Sequence, residues 1–153
     1  MKSISFDEGY REYKLNGDDS RVIRIQITDP NLYSRIEQGM KKAESLIGKY
    51  NDAPEYEELA QFDAEIKSIL NEAFGTDICG PAFGSANVLT PTSDGKTLLI
   101  YAFFEAFMPA LEEDLKNLQA SMAKQEVRPE VKKYLDVSTL TEEEKQALRE
   151  QLA

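Results

Sequence analysis

Alternation of hydrophobic and polar residues with a period of two marks the first 28 positions. Ile4 and Phe6 alternate with polar residues, and the pattern returns after a run of turn-forming residues in three isoleucines: Ile23, Ile25 and Ile27. This period is typical of half-buried strands and predicts a β-hairpin over 3–28. Asn16-Gly17 is typical of a hairpin loop. Because further polar residues follow it, we expect a loop longer than the minimal two-residue type. A lone hairpin is marginal in water, so its isoleucine face should lie on the helices that follow.

Apolar residues then recur every three or four positions, which predicts amphipathic helices at about 30–48, 54–74 and 97–124. Asp29 before Pro30 marks the first start, with aspartate as N-cap and proline at the first helical position. Gly48 and Asn51 are the candidate stop residues of this helix. These elements predict an α+β fold that is mainly α: a hairpin on a bundle of about three to four helices, with a short C-terminal helix.

The ends of the later helices carry their own signals. Asn51 or Asp52 should cap the second helix, and Gly75 should end it in the left-handed conformation. A short helical turn should follow, through Cys79 and Phe83. Pro109 lies within the last helical pattern and should kink that helix or divide it in two, because it lacks the backbone N–H.

The character of the chain changes after residue 124. Residues 125–153 are polar apart from a thin apolar edge, and a capping-box pattern begins at Thr141. We therefore expect one globular domain over 1–124, followed by a polar linker and a short helix.

Aromatic side chains concentrate near the last predicted helix. The four candidates for a partner-binding surface are Phe83, Phe103, Phe104 and Phe107. Successive residues on a helix are offset by about 100°, so these rings cannot all face one side. Either the helix is buried on several sides, or some rings contact another chain, where aromatic anchors are common.

Composition limits the chemistry. The 153 residues carry a net charge of −10, which argues against binding nucleic acid or anionic membranes. The longest uncharged apolar run is too short for a bilayer span, and we expect no signal peptide. The chain has no histidine and one cysteine, Cys79, which favours a small buried side chain over a nucleophile. We expect no catalytic residue, metal or cofactor, and hence no enzyme.

The order of motifs is similar to that of a known group. The hairpin with its Asn-Gly-Asp turn leads into Thr28-Asp29-Pro30, an acidic helix ends at Phe74-Gly75, and a second Phe-Gly pair follows. An Asp94-Gly95 turn then precedes the sequence YAFFEAFMP, residues 101–109. Over about residues 5–120 the chain resembles the tail assembly chaperones and small tail proteins of long-tailed phages and prophages of Gram-positive bacteria.

This resemblance implies a non-enzymatic, self-associating protein of the host cytoplasm. Such chaperones are taken to bind the long helical tape-measure protein and to leave when tail-tube subunits polymerise around it. Two alternatives remain open: a structural tail component that is retained in the virion, and an acidic inhibitor of a basic host protein.

Overall fold

The hairpin is shorter and tighter than the sequence predicts. In the computed structural model, which describes residues 1–50, 55–122 and 146, strand β1 is Tyr10–Leu15 and strand β2 is Asp18–Gln26. The strands pair antiparallel around two residues, Asn16 and Gly17, and both have positive φ. Type I′ turns require this conformation, and Asn-Gly adopts it readily. The expectation of a longer loop is therefore wrong.

The polar residues after the turn belong to β2. The Asp18 carboxylate accepts hydrogen bonds from the backbone N–H and the hydroxyl of Ser20, at 2.9 and 2.7 Å. These bonds hold the pKa of Asp18 below its usual value. The register shifts between Lys14 and Leu15, so the surplus β2 residues are accommodated as an irregularity in the ladder.

The segment before β1 does not join the sheet. Residues 1–9 lie outside both strands, and Ile4 and Phe6 are 84% and 75% exposed. The predicted strand start at residue 3 is therefore wrong, although the alternating pattern that predicted it is present. Further along the hairpin the pattern does predict burial: the three isoleucines of its inner face, Ile23, Ile25 and Ile27, are all in the core.

Within residues 1–50 and 55–122, four helices follow the hairpin, as the α+β fold class predicts: α1 Pro30–Tyr50, α2 Tyr56–Phe74, α3 Cys79–Phe83 and α4 Leu99–Met122. Asp29 caps α1 as expected, because its carboxylate accepts the N–H of Asn31 at 2.9 Å. Gly75 ends α2 with φ 70°, and its N–H donates to the carbonyl of Glu72. The short helix α3 is also confirmed.

Three predicted helix ends differ from the structure, and one of them is the start of α4, at Leu99 rather than at 97. Helix α1 continues through Gly48 to Tyr50, since an unconstrained glycine costs a helix only about 1 kcal/mol. Helix α2 begins at Tyr56 rather than at 54, and the side chain of Glu55 makes no capping hydrogen bond. The proposed caps Asn51 and Asp52 lie outside the described residues.

Helices α1 and α2 make a close contact at Gly39. A β-carbon on Gly39 would lie 2.6 Å from the β-carbon of Ala73, so the backbone of α1 rests almost directly on α2. Both helices contribute fully buried side chains to the core, among them Leu32 on α1 and Ile66 and Leu70 on α2.

The loop before α4 supplies hydrogen-bond acceptors to the first residues of the helix. The N–H groups of Leu99 and Ile100 donate to the carbonyls of Thr90 and Val88, at 2.8 and 3.0 Å. These bonds satisfy donors that a helix N-terminus leaves free. The helix then continues past Pro109 to Met122, so the proline does not divide it.

Residues Met1–Leu118 form one compact unit. The second unit, Gln119–Ala153, is described only to Met122 and at Gln146. The predicted linker and C-terminal helix, 125–153, otherwise lie outside the described residues, and the boundary at 124 stays a prediction.

Candidate protein-binding cleft

Six aromatic rings join the hairpin to the helices. Phe103 is central: its ring centroid lies 5.5 Å from that of Phe83, 5.0 Å from Phe104 and 5.1 Å from Phe107. Phe107 in turn contacts Tyr13 of β1 edge-on at 5.3 Å. Phe74, at the end of α2, lies about 6 Å from both Phe104 and Phe107. Edge-to-face and offset pairs at these distances are favourable.

Burial separates the four phenylalanines that the sequence singled out. Phe83, Phe104 and Phe107 are at most 7% exposed and belong to the hydrophobic core, whereas Phe103 is only partly buried. Three of the four candidate partner-binding residues are thus mainly structural, because a partner cannot reach most of their surface. The question left open by the sequence is decided for these three in favour of the interior.

Phe103 and the edges of Phe83 and Phe107 are reached through an open cleft of about 350 Å³. The cleft lies between the turn end of β1, the end of α3 and the first half of α4. Its lining residues are Tyr13, Lys14, Leu15, Asn16, Arg21, Ala82, Phe83, Leu99, Ala102, Phe103, Ala106, Phe107 and Ala110. We call it the hairpin–α4 cleft.

The α4 wall of this cleft is a stripe of small side chains. Ala102, Ala106 and Ala110 recur every four residues, and Ala106 and Ala110 are exposed. This stripe lies beside the fully packed one, whose members are Ile100, Phe104, Phe107 and Leu111. Helix α4 is therefore apolar on two faces, one packed against its own chain and one open to the cleft.

Polar groups hold the two sides of the cleft in place. The Tyr13 hydroxyl donates to a carboxylate oxygen of Asp114 at 2.7 Å, which ties β1 to α4. Burial, and then this bond, raise the pKa of Tyr13 well above its usual value. Arg21 donates from its guanidinium to the carbonyls of Pro81 and Ala82 at 2.7 and 3.1 Å, so β2 is fastened to the end of α3.

The rim at the turn end carries positive charge, although the chain as a whole is acidic. Lys14 and Arg21 both line the cleft. Lys14 pairs with Asp19 at 3.0 Å, but both side chains are more than half exposed, so the pair is weak.

The sequence did not identify the hairpin half of the cleft. Tyr13 and Leu15 are spaced by two on β1 and face the same side as the buried isoleucines. That spacing was a usable signal, whereas Arg21 and Ala82 offered none. They meet only because β2 packs beside α3, and no local pattern encodes that contact.

Cys79 lies apart from the cleft lining. It is 2% exposed, and its Sγ lies 3.7 Å from the carbonyl oxygen of Lys67. Burial, and then the nearby Asp77 carboxylate, raise the pKa of the thiol to about 12. The small amount of thiolate at neutral pH makes this a packing residue, as the sequence indicates.

The most buried ion pair is also structural. Lys67 and Asp63 lie 3.1 Å apart on α2, and both side chains are at least four-fifths buried. Each also holds the following loop, because Lys67 donates to the carbonyl of Ala86 and Asp63 accepts the N–H of Val88. The Lys67–Asp63 pair therefore holds α2 against the loop that precedes α4.

Wider comparison adds no relative. No protein-family model, curated protein or solved structure matches this chain. Within residues 1–50 and 55–122, no three metal-ligating side chains converge, and no helix has the length and hydropathy of a membrane span. The cleft is the feature of the described chain best suited to binding, and its chemistry suits large apolar side chains.

Proposed function

We propose that this protein is a non-catalytic tail assembly chaperone that binds a tape-measure protein through the hairpin–α4 cleft. The observation that carries the proposal is the open apolar stripe of α4, Ala102, Ala106 and Ala110, which lines the cleft together with Phe103. A client helix lying along this stripe would place large side chains, spaced by three or four residues, into the cleft. The motif order of residues 5–120 resembles that chaperone group and supplies the identity of the client.

One cleft would give only weak affinity. Burying a large apolar side chain contributes about 1.5–3 kcal/mol, so two such side chains contribute about 3–6 kcal/mol. Loss of translational and rotational freedom costs about 4–15 kcal/mol. A client as long as a tape-measure protein can hold many copies side by side, and contacts between neighbouring copies would add the affinity that one cleft lacks. In this proposal the chain self-associates and acts in the host cytoplasm before the tube subunits displace it.

The test uses an exposed cleft residue rather than the core phenylalanines. Replacing Phe104 or Phe107 by a charged residue would disrupt the core, whereas Ala106 is exposed within a helix. Ala106→Glu should keep the helical circular dichroism and place a charge in the cleft. Ala64→Glu is the matched control, because Ala64 is exposed on α2 and does not line the cleft.

Each tagged protein would be used as bait in lysate of its own host after prophage induction. Capture of a very long, helix-rich chain by the wild type and Ala64→Glu, but not by Ala106→Glu, supports the proposal. Capture of a tail-tube or connector protein alone would favour a structural tail component. Capture of a basic host protein, weakened steeply by salt, would favour an acidic inhibitor.

A further inference from the structure

The segment before β1 carries two large apolar side chains that its own fold leaves in solvent. Residues 1–8 are all exposed, and Ile4 and Phe6 are the most exposed large hydrophobic side chains among them after Met1. They are spaced by two, which is the period of a strand with one buried face. A strand-patterned apolar segment outside a sheet is available to pair with an open sheet edge.

The edge of β1 can accept such a strand. Among the described residues, 1–50, 55–122 and 146, the sheet has two strands, and one edge of β1 has no strand partner. An unpaired edge presents alternate N–H and C=O groups to a new strand. Three consecutive β1 residues line the hairpin–α4 cleft: Tyr13, Lys14 and Leu15. A strand added along this edge would direct every second side chain into the cleft.

The cleft has room for two side chains. An apolar cavity of about 150 Å³ holds one benzene molecule. The hairpin–α4 cleft, at about 350 Å³, is somewhat more than twice that size. The ring of Phe6 and the branched chain of Ile4 together match this capacity.

Charge also fits. Asp7 and Glu8 directly follow Phe6, and the cleft rim carries Lys14 and Arg21. The acidic end of the segment can meet the basic side chains of the rim, which favours this contact although two copies of net charge −10 repel each other overall.

Within one chain the segment is held at the first residue of β1, away from the cleft at the other end of the strand. Glu8 accepts a hydrogen bond from the side chain of Gln26 at 2.8 Å and pairs with Arg24 at 3.8 Å. Gln26 pairs with Tyr10, the first residue of β1, whereas the cleft adjoins the turn at the last. We propose that residues 3–8 of one copy add to the β1 edge of a second copy and place Ile4 and Phe6 in its cleft.

This inference does not rest on the proposed function, but the two share a site. A client helix and the segment of a neighbouring copy would compete for the same cleft. The segment would therefore cover the apolar stripe of α4 while no client is present.

Two variants distinguish the copy that supplies the segment from the copy that supplies the cleft. Ile4→Ser/Phe6→Ser removes the apolar side chains of the segment without touching the core, and Ala106→Glu blocks the cleft. Tyr56→Ser is the control, because Tyr56 is 89% exposed on α2 and does not line the cleft. The measurement is the solution mass of the full chain by sedimentation velocity across a concentration series, with circular dichroism to verify folding.

The wild type and Tyr56→Ser should associate, and each of the other two variants alone should fall to the mass of a single chain. Mixing these two should restore a complex, because one supplies an intact cleft and the other an intact segment. A monomeric wild type, an unchanged mass in Ile4→Ser/Phe6→Ser, or no complex on mixing would each overturn the inference. Client capture by Ile4→Ser/Phe6→Ser should persist, so failure of self-association and failure of the proposed function give different results.

Discussion

The hydroxyl of Tyr13 donates a 2.7 Å hydrogen bond to the carboxylate of Asp114, which lies 101 positions later in the chain. The same tyrosine ring packs edge-on against Phe107, which precedes Asp114 by about two turns of α4. One side chain thus joins the hairpin to α4 through both a polar and an aromatic contact. The width of the hairpin–α4 cleft depends on this connection, because Tyr13 and Phe107 both line it.

Removing that hydroxyl should loosen the connection without removing the ring. Tyr13→Phe should lower the free energy of unfolding by about 1.5–3 kcal/mol, the usual loss for a hydrogen bond to a charged acceptor. Urea unfolding at neutral pH measures it. In Asp114→Asn the amide oxygen can still accept the bond, so a smaller loss is expected. Equal stability of Tyr13→Phe and wild type would show that the bond does not stabilise the fold.

The contact between α1 and α2 should be sensitive to a single methyl group. Gly39→Ala places a β-carbon 2.6 Å from that of Ala73, and overpacking of this kind costs about 1–3 kcal/mol. Gly48→Ala on the same helix meets nothing within 4 Å and should instead stabilise by up to about 1 kcal/mol. Thermal unfolding of both variants compares the two effects.

A compensating change tests the cause of that loss. If the clash with Ala73 is responsible, Gly39→Ala combined with Ala73→Gly should recover more stability than the two single changes predict by addition. Strict additivity would place the effect of Gly39→Ala elsewhere.

The side chain of Asn71 on α2 should stabilise the start of α3. Its side-chain oxygen accepts the N–H groups of Ile78 and Cys79 at 2.9 and 3.1 Å, and its amide donates to Asp77 at 3.0 Å. Asn71→Ala leaves these donors without their partner and should cost about 1–3 kcal/mol. Asn117→Ala, at an exposed position of α4, should change stability by less than about 0.5 kcal/mol.

A charged analogue gives a pH signature. Asn71→Asp keeps the acceptor but sets a second carboxylate beside Asp77, so the two charges repel at neutral pH. The variant should therefore lose less stability, relative to wild type, in mildly acidic solution where one carboxylate is protonated. Urea titrations at two pH values measure this difference, and a loss independent of pH would contradict it.

The buried thiol should make stability fall in alkaline solution. The pKa of Cys79 rises from 9.0 to about 12 on folding, chiefly because of burial. The folded state therefore holds the proton more tightly than the unfolded state. This contribution to stability is fully present below pH 9 and is lost as the pH rises towards 12.

Cys79→Ala provides the comparison for that effect. The free energy of unfolding of the wild type should fall more steeply between pH 9 and 12 than that of the variant, whatever their difference at neutral pH. Parallel pH profiles would show that the thiol does not contribute. Native Cys79 should also react slowly with a disulfide reagent at neutral pH and rapidly in denaturant.

Local signals predicted the elements well where short-range chemistry is enough. Asp29 before Pro30 fixed the start of α1, and Gly75 fixed the end of α2 in the left-handed conformation that glycine adopts at low cost. Local signals failed where the conformation of a segment depends on contacts with residues distant in sequence. The alternation at Ile4 and Phe6 predicted a strand, but within the part of the chain that the structure describes no strand pairs with this segment.

The sequence by itself determined an acidic chain without histidine, a hairpin with an isoleucine face, and helices with apolar stripes. Periodicity and capping act over a few residues, so they can be read along the chain. Only the tertiary structure decided that Phe104 and Phe107 are core residues while Phe103 borders a cleft. All three lie within five positions on one helix, and their exposure depends on what packs against each face. That packing comes from Phe74 and Tyr13, which are distant in sequence, because burial is a property of the assembled chain and not of a local segment.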